Sequence, residues 1–146
     1  EIPPNTGNIA RTCAATSTKL HLVKPLGFDI SEKAVKRAGL DYWPYVDLEV
    51  HESLNDFMEK YKGRRKFLAT TKGGHIYTEF EYRDDDMFLF GRETKGLPRD
   101  FIAENEEMAI RIPMSKNTRM RSFNLSNSAN IILFEALRQL GFPELK

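Results

Sequence analysis

Cysteine is almost absent from this 146-residue sequence, in which Cys13 is the only one. A lone cysteine excludes an internal disulfide, and this usage is typical of proteins from a reducing compartment. Apolar helical neighbours surround Cys13, which predicts a buried thiol rather than a nucleophile. We therefore expect a cytoplasmic protein.

Long hydrophobic runs are absent as well. No segment approaches the ~20 apolar residues that a membrane span needs, and no signal-peptide pattern opens the chain. We therefore expect a soluble protein with no membrane partner. The formal net charge is only +1, so no overall field predicts nucleic-acid binding. Basic clusters at residues 33–37, 60–66 and 116–121 still permit a local basic face.

The common cofactor and metal signatures are also missing. No P-loop is present, and no GxGxxG follows a strand, which leaves a nicotinamide oxidoreductase without its glycine fingerprint. The histidines, His21, His51 and His75, show no ligand spacing along the chain, so we expect no metal. NADH binding would be needed to revive the oxidoreductase alternative.

What the sequence does contain is an alternation of strands and helices, in a length that fits one domain over residues 1–146. Strands are predicted over residues 18–23, 46–50, 66–71, 87–90 and 108–112. Helices are predicted over residues 9–15, 31–38, 54–61 and 125–140, with Asn5 or Thr6 capping the first. This pattern predicts an α/β fold with a mostly parallel sheet and helices on both faces. Because such a fold normally opens with a strand, we expect a first strand that this sequence lacks.

Residues 112–140 form the most informative segment. A face of 3.6-residue period predicts an amphipathic helix that Asn124 or Ser126 caps and Gly141 ends. Its apolar members are Leu125, Ala129, Ile132, Leu133, Ala136, Leu137 and Leu140. The polar residues Arg119, Arg121, Ser122 and Asn124 precede the helix, where backbone N–H groups favour anionic ligands. A solvated basic loop with an ordinary cap is the alternative interpretation.

Two further segments are candidates for ligand binding. Residues 5–11 form a glycine-containing turn that enters a helix carrying Arg11, and residues 90–98 follow an apolar strand directly. Open α/β sheets bind ligands at the carboxyl ends of strands. Gly91 and Gly96 permit backbone geometries and close approaches that a side chain would prevent. Each segment alone is also consistent with an ordinary turn or loop.

Taken together, these three segments resemble the three motifs of the SPOUT RNA methyltransferases, in order and in spacing. The matching stretches read NTGNIARTC, FGRETKGLP and IPMSKNTRMRSFNLSNSANIILFEALRQ. Within that family, residues 1–8, 37–42 and 70–73 (EIPPNTGN, RAGLDY and TTKG) resemble the small TrmL-type tRNA 2′-O-methyltransferases. The resemblance covers nearly the whole chain.

The resemblance implies a Rossmann-like sheet with a C-terminal trefoil knot, expected within residues 69–140. It implies S-adenosylmethionine as the cofactor, S-adenosylhomocysteine as the product, and no metal. In the family the cofactor lies bent in the knot, where backbone groups of three loops contact it, and close approach to the nucleoside would explain the glycines. The matching cofactor-binding positions are Ala69, Thr70, Gly91, Glu93, Gly96, Ile112, Met114 and Ser122.

The implied reaction is methyl transfer to a ribose 2′-hydroxyl of tRNA, at a wobble cytidine or modified uridine, in tRNA-Leu. The matching catalytic positions are Asn5, Arg11, Glu93, Ser122 and Asn124. Because a guanidinium is a poor base, we expect Arg11 to clamp the adjacent RNA phosphate. The alternatives are a 2′-O-methyltransferase for another tRNA position or ribosomal RNA, and a knot protein that binds RNA without catalysis.

RNA contacts and assembly are also implied. Candidate RNA-binding residues are Arg11, Lys33, Lys36, Arg37, Arg119 and Arg121, with Tyr42 and Trp43 either stacking on bases or lying in the core. Six residues separate Met114 from Arg121 where the family usually has four, so Arg119 competes with Arg121 for the matched role. A homodimer through the knot region and the C-terminal helix is expected.

Overall fold

A computed structural model describes residues 3–146, so the first two residues of the EIPPNTGN segment lie outside the described part. The chain divides into two compact units, the first ending at Gly63 and the second spanning Arg64–Lys146. The helices and strands are α1 Pro4–Ala15, β1 Leu20–Val23, α2 Glu32–Arg37, β2 Leu48–His51, α3 Leu54–Lys60, β3 Lys66–Ala69, β4 His75–Ile76, β5 Met87–Phe90, α4 Arg99–Glu104, β6 Ala109–Arg111 and α5 Leu125–Gln139. Short 3-10 helices cover Trp43–Tyr45 and Glu106–Met108.

In the first unit, β1 and β2 form a parallel pair in which Leu20 lies opposite Leu48 and Val23 opposite His51. The two short helices each begin at a serine that satisfies a free N–H group. Ser31 accepts from the N–H of Ala34 at the start of α2, and Ser53 does the same at α3. These caps fix the helix starts that the sequence predicted.

In the second unit, four parallel strands lie in the order β4–β6–β3–β5. Phe67 of β3 is fully buried, and the rings of Phe80 and Tyr82 meet it at centroid distances of 4.8 and 5.0 Å. Ile132 and Ala136 of α5 belong to the same core, which confirms the predicted apolar face of that helix.

A glutamine ties α5 to the chain that crosses this core. The side chain of Gln139 donates to the carbonyl of Phe80 at 3.0 Å and accepts from the N–H of Tyr82 at 2.8 Å. Both backbone groups lie outside helices and strands, so the glutamine gives them partners that regular pairing does not supply. The end of α5 is therefore held by hydrogen bonds as well as by apolar packing.

The structure corrects several details of the sequence-based prediction. The strands lie in two parallel sheets, one in each unit, rather than in one. The first helix begins at Pro4, and no side chain caps it, so the expected cap by Asn5 or Thr6 is wrong. Proline suits the first helical position because its missing N–H would have no helical partner there. Strand β4 was not predicted.

Among residues 3–146, no helix combines the length and the apolarity that crossing a membrane requires.

Candidate active site

Three predicted cofactor-binding loops follow three adjacent strands of the second unit. In the parallel register, Ala69 of the central strand β3 pairs with Phe90 of β5 on one side and Ile110 of β6 on the other. The N–H of Thr70 continues the pairing by donating to the Ile110 carbonyl at 2.9 Å. Because parallel strands end at the same sheet edge, the loops beginning at Thr70, Gly91 and Ile112 leave from one place, where α/β sheets bind ligands.

The first of these loops is a tight turn that closes against β6. The N–H of Gly73 donates to the carbonyl of Thr70 at 3.1 Å, and the N–H of Lys72 approaches the Thr70 hydroxyl at 3.3 Å. A Cβ on Gly73 would lie only 2.7 Å from the backbone carbon of Ile110. The TTKG segment therefore needs glycine at its end to lie flat on the neighbouring strand.

The second loop folds back on itself. A Cβ on Gly91 would lie 2.0 Å from the carbonyl carbon of Gly96, and the N–H of Gly96 donates to the Arg92 carbonyl at 2.7 Å. Gly96 has φ of +67°, a left-handed conformation that favours glycine. The close approach that Gly91 permits is thus to the backbone of its own loop. The exposed Glu93 lies within this loop.

The third loop, residues 112–124, is largely exposed and ends in a helix cap. Ile112 and Met114 are half-buried, whereas Arg119, Arg121 and Ser122 are exposed. The N–H of Thr118 approaches the carbonyl of Ser115 at 3.4 Å, which marks a turn inside the lengthened part of the loop.

The cap at the end of that loop is Asn124. Its Oδ1 accepts from the N–H of Asn127 at 3.1 Å and from the hydroxyl of Ser126 at 2.8 Å. Capping by Asn124 is confirmed, and Ser126 is a buried donor to the cap rather than the cap itself. Ser122 and the basic residues therefore do lie just before the N-terminus of a 15-residue helix.

In the first unit, α1 carries Asn5 in its first turn and the exposed Arg11 further along. The guanidinium carbon of Arg11 lies 5.9 Å from the centre of the Tyr42 ring. The Tyr42 hydroxyl donates to the carbonyl of Gly7 at 2.8 Å. Tyr42, which the resemblance left as either RNA-facing or buried, is half-buried and in contact with the motif-one helix.

The basic residues of α2 are all exposed. Lys33, Lys36 and Arg37 leave Val35 as the buried residue of that helix. Lys36 and Arg37 also lie in its last turn, where positive charge is favourable. Trp43 is half-buried and Tyr45 is 78% exposed. The three positive charges of this helix therefore lie on its exposed surface.

The structure also brings together a cluster that sequence spacing did not reveal. Candidate metal-ligating atoms of His21, Glu49 and His51 lie within 4.8 Å of one another, because the register places His21 opposite Glu49. His21 Nδ1 lies 3.0 Å from His51 Nε2. The separation of 30 residues between the two histidines hides this contact from the sequence.

The carboxylate of this cluster already has several partners. Lys19 and Lys60 lie 3.0 and 2.8 Å from its oxygens, and the hydroxyl of Tyr61 donates at 2.7 Å. These bonds, from Lys60 first, hold the pKa of Glu49 well below its usual range. A metal ion would have to displace an ammonium group from Glu49. The contacts support an ion-pair network that stabilises the first unit.

Cys13 is 5% exposed, and burial raises the pKa of its thiol to about 11. A thiol with that pKa stays protonated at neutral pH, and the protonated form is a poor nucleophile. The prediction that Cys13 is buried is confirmed.

Comparison with known proteins gives three kinds of match. A sequence model described as the SpoU rRNA Methylase family matches residues 1–134. A tRNA (cytidine(34)-2′-O)-methyltransferase from Methylovorus glucosotrophus is 50% identical over 143 residues, which cover 97% of this chain and 92% of that protein. This chain therefore spans most of that relative's length.

Solved structures give the third kind of match. One, described as giving insight into the 2-OH methylation of C/U34 on tRNA, has a TM-score of 0.85 and 44% identity, covering 97% of this chain and 91% of that one. Another, an AdoMet-bound rRNA methyltransferase from Sinorhizobium meliloti, has a TM-score of 0.76 and 26% identity, covering 93% of this chain and 52% of that one.

Proposed function

This chain belongs to the SpoU rRNA Methylase family, and we propose that it transfers a methyl group from S-adenosylmethionine to the 2′-hydroxyl of the wobble nucleotide of tRNA. The observation that carries this proposal is the 50% identity, over 97% of the chain, with a relative named for cytidine-34 2′-O-methylation. The solved neighbour at TM-score 0.85, which concerns C/U34, extends the substrate to a cytidine or a uridine. A leucine tRNA is the first isoacceptor to test.

The loops at the sheet edge fit the cofactor by their chemistry. They leave adjacent strands at Thr70, Gly91 and Ile112, and the third of them carries half-buried apolar side chains at Ile112 and Met114. An adenosine needs both apolar contact and backbone hydrogen bonds. When bound, S-adenosylmethionine supplies the electrophilic methyl group. We assign its binding to Ala69, Thr70, Gly91, Glu93, Gly96, Ile112, Met114 and Ser122.

The fold proposed around these loops is that of a single SPOUT methyltransferase domain, with a trefoil knot within residues 69–140. That range begins at the end of β3 and takes in all three loops and α5. A knot would fix the loops against one another, so that the binding surface exists before the ligand arrives. Such preorganisation lowers the entropy cost of binding.

Arg11 is proposed to hold the RNA phosphate next to the reacting ribose. A guanidinium cannot release a proton at neutral pH, so its value lies in charge and in its fork of donors. It aligns the 2′-hydroxyl and lets the neighbouring phosphate take the hydroxyl proton as the oxygen attacks. Asn5, in the first turn of the same helix, is proposed to shape this site.

The polar residues of the second unit are proposed to act by hydrogen bonding. Glu93 and Ser122 are exposed on the second and third loops, where they can accept from or donate to ribose and cofactor hydroxyls. Asn124 acts through its cap, because the bonds to Asn127 and Ser126 hold the end of the third loop to α5.

Exposed basic residues are proposed to bind the tRNA. These are Arg11, Lys33, Lys36, Arg37, Arg119 and Arg121. Phosphate contacts of this kind make binding strongly salt-dependent without reading the base sequence.

A homodimer is proposed through the knot region and α5. Ile131 and Phe134 of that helix are 37% and 45% exposed, on the side away from Ile132 and Ala136. Covering such side chains is a common reason for subunit association. Phe134→Glu should shift the sedimentation coefficient towards that of a monomer, and an unchanged value would contradict this interface.

The experiment that tests the function is transfer of labelled methyl from S-adenosylmethionine to total tRNA that lacks the modification, followed by nuclease mapping. Label on the 2′-oxygen of a wobble nucleotide supports the proposal. Label at another tRNA position or on ribosomal RNA would keep the chemistry and overturn the substrate. Absence of label, with cofactor binding measured separately, would favour an RNA-binding protein without catalysis.

A further inference from the structure

We propose that Tyr42 is a positioning residue for Arg11, which it holds by two separate contacts before any RNA is bound. The proposal rests on the proposed function in one respect, since it takes Arg11 as the residue that acts on the substrate. Both contacts lie within the first unit.

The first contact is with the backbone that fixes Arg11. Tyr42 donates its hydroxyl to the Gly7 carbonyl at 2.8 Å. Gly7 and Arg11 are four residues apart in α1, so in the regular helical pattern the same carbonyl accepts from the N–H of Arg11. A carbonyl oxygen has two lone pairs and can accept both bonds. The phenol is thereby joined to the turn of helix from which Arg11 projects.

The second contact is with the side chain itself. The guanidinium carbon of Arg11 lies 5.9 Å from the Tyr42 ring centre, within the range of a cation–π attraction. An exposed arginine otherwise samples many rotamers, and a planar guanidinium stacks well on aromatic faces. The ring therefore favours the rotamers that keep the charge beside α1.

The local structure around Gly7 and around Tyr42 permits their close contact. Gly7 is buried, and a Cβ added there would lie 3.3 Å from the Tyr42 hydroxyl oxygen, so a larger residue would press on the phenol. On the other side, Gly39 at φ +71° ends α2, and the N–H of Trp43 donates to the Leu40 carbonyl at 3.1 Å. This turn places Tyr42 beside α1, although 35 residues of sequence separate Tyr42 from Gly7.

The phenol also stays in the form that this role needs. Burial raises the pKa of Tyr42, although the charge of Arg11 opposes the shift. A protonated hydroxyl can donate to Gly7, whereas a phenolate could not.

A guanidinium that is already oriented reaches the reactive geometry at a smaller entropy cost, so the effect should appear in the rate of the methyl-transfer step. Tyr42→Phe removes only the hydroxyl, and Tyr42→Leu removes the ring as well. We expect single-turnover rates at saturating tRNA and cofactor to fall about threefold and about tenfold, respectively, with the KM for S-adenosylmethionine unchanged.

The matched control is Tyr45→Phe, which deletes the same hydroxyl from a 78% exposed side chain three residues further on. This variant should transfer methyl at the wild-type rate. Equal rates for Tyr42→Leu and wild type would overturn the proposal.

A double-mutant cycle separates positioning from a purely structural role. In an Arg11→Lys background the stacking of the flat guanidinium is lost while the hydroxyl bond to Gly7 remains, so Tyr42→Leu should then cost about threefold rather than about tenfold in rate. If Tyr42→Leu costs the same factor in both backgrounds, Tyr42 acts independently of Arg11 and the proposal is wrong.

The contact can also be measured without activity. The ring current of Tyr42 should displace the proton resonances of the Arg11 side chain in the free protein, and Tyr42→Leu should remove that displacement while Tyr45→Phe leaves it. An undisplaced Arg11 signal in the wild-type protein overturns the inference even if tRNA is methylated. A displaced signal in a protein that methylates no tRNA supports the contact and instead overturns the proposed function.

Discussion

The two units present their candidate functional groups in different ways. In the second unit the candidate cofactor site is built largely from backbone, where loops leave three adjacent strands and glycines allow close packing. In the first unit the candidate groups are side chains, with Arg11 on a helix surface and Tyr42 beside it. Substitutions in the first unit should therefore remove one interaction, whereas those in the second unit should move a whole loop.

The largest effect on activity is expected from a side chain of the first unit, that of Arg11. Arg11→Ala removes a charge-assisted contact to RNA and should lower the rate of methyl transfer by about 10²- to 10³-fold. Because Arg11 is exposed, the variant should fold normally. Binding of S-adenosylmethionine, measured by calorimetry, should be unchanged.

Two outcomes would contradict this role of Arg11. Unchanged turnover would remove Arg11 from the reaction. Loss of cofactor affinity together with turnover would show that its effect is not confined to the RNA.

The candidate cofactor site of the second unit, which is built largely from backbone, is tested by Gly91→Ala. Its Cβ would lie 2.0 Å from the Gly96 carbonyl carbon, so the loop of residues 91–97 must shift. A displacement of about 1 Å can cost on the order of 10²-fold when the site depends on exact placement. We expect cofactor affinity to fall by about that factor, and the melting temperature to fall by a few degrees because the clash is with backbone that has to move.

Gly74→Ala is the matched control for Gly91→Ala. Gly74 lies in the loop after β3, and a Cβ there would meet nothing within 4 Å. Its cofactor affinity should match that of the wild-type protein. Equal affinities for the two alanine variants would mean that close backbone packing is not what the second unit requires.

Features of the two units could be predicted from the sequence where the residues that form them lie close together along the chain. The amphipathic period of α5 and the apolar run Met87–Phe90 are local patterns, and both elements were found where they were predicted. The residue order of the three matching segments is distinctive enough to predict the family from the sequence, and the family match confirms that family.

The features that the sequence did not predict are contacts between residues far apart along the chain and one very short strand. The contact of Tyr42 with Gly7 spans 35 residues, and that of His21 with His51 spans 30, so no local pattern indicates either. Strand β4 has only two residues, which cannot show a period. The packing of Gly91 against the backbone of Gly96 was not predicted either, whereas its approach to the cofactor stays a prediction.

A smaller effect concerns the pH dependence of the first unit. The lysines and the tyrosine around Glu49 lower the pKa of its carboxyl in the folded state, so the carboxylate stabilises the fold above the pKa of the unfolded chain, about 4.3. That contribution is lost as the pH falls through the lower folded-state pKa. Glu49→Gln should therefore flatten the decline of the free energy of unfolding between about pH 5 and pH 2. Urea titrations at several pH values measure it, and parallel curves for the two proteins would exclude the network as a source of stability.

The smallest effect is expected at Asn124. Its side chain accepts a hydrogen bond from a backbone N–H of the second unit, so both a side chain and backbone are involved. Asn124→Ala removes the cap bonds to Asn127 and Ser126 and should lower the free energy of unfolding by about 1 kcal/mol. Asn124→Ser supplies another good cap and should restore most of that stability, as measured by urea titration. If Asn124 serves the reaction through this cap, the serine variant should also recover most of the methyl-transfer rate. Recovery of stability without recovery of rate would mean that the amide acts directly on a ligand, which would make Asn124 a side-chain element within the backbone-built half of the molecule.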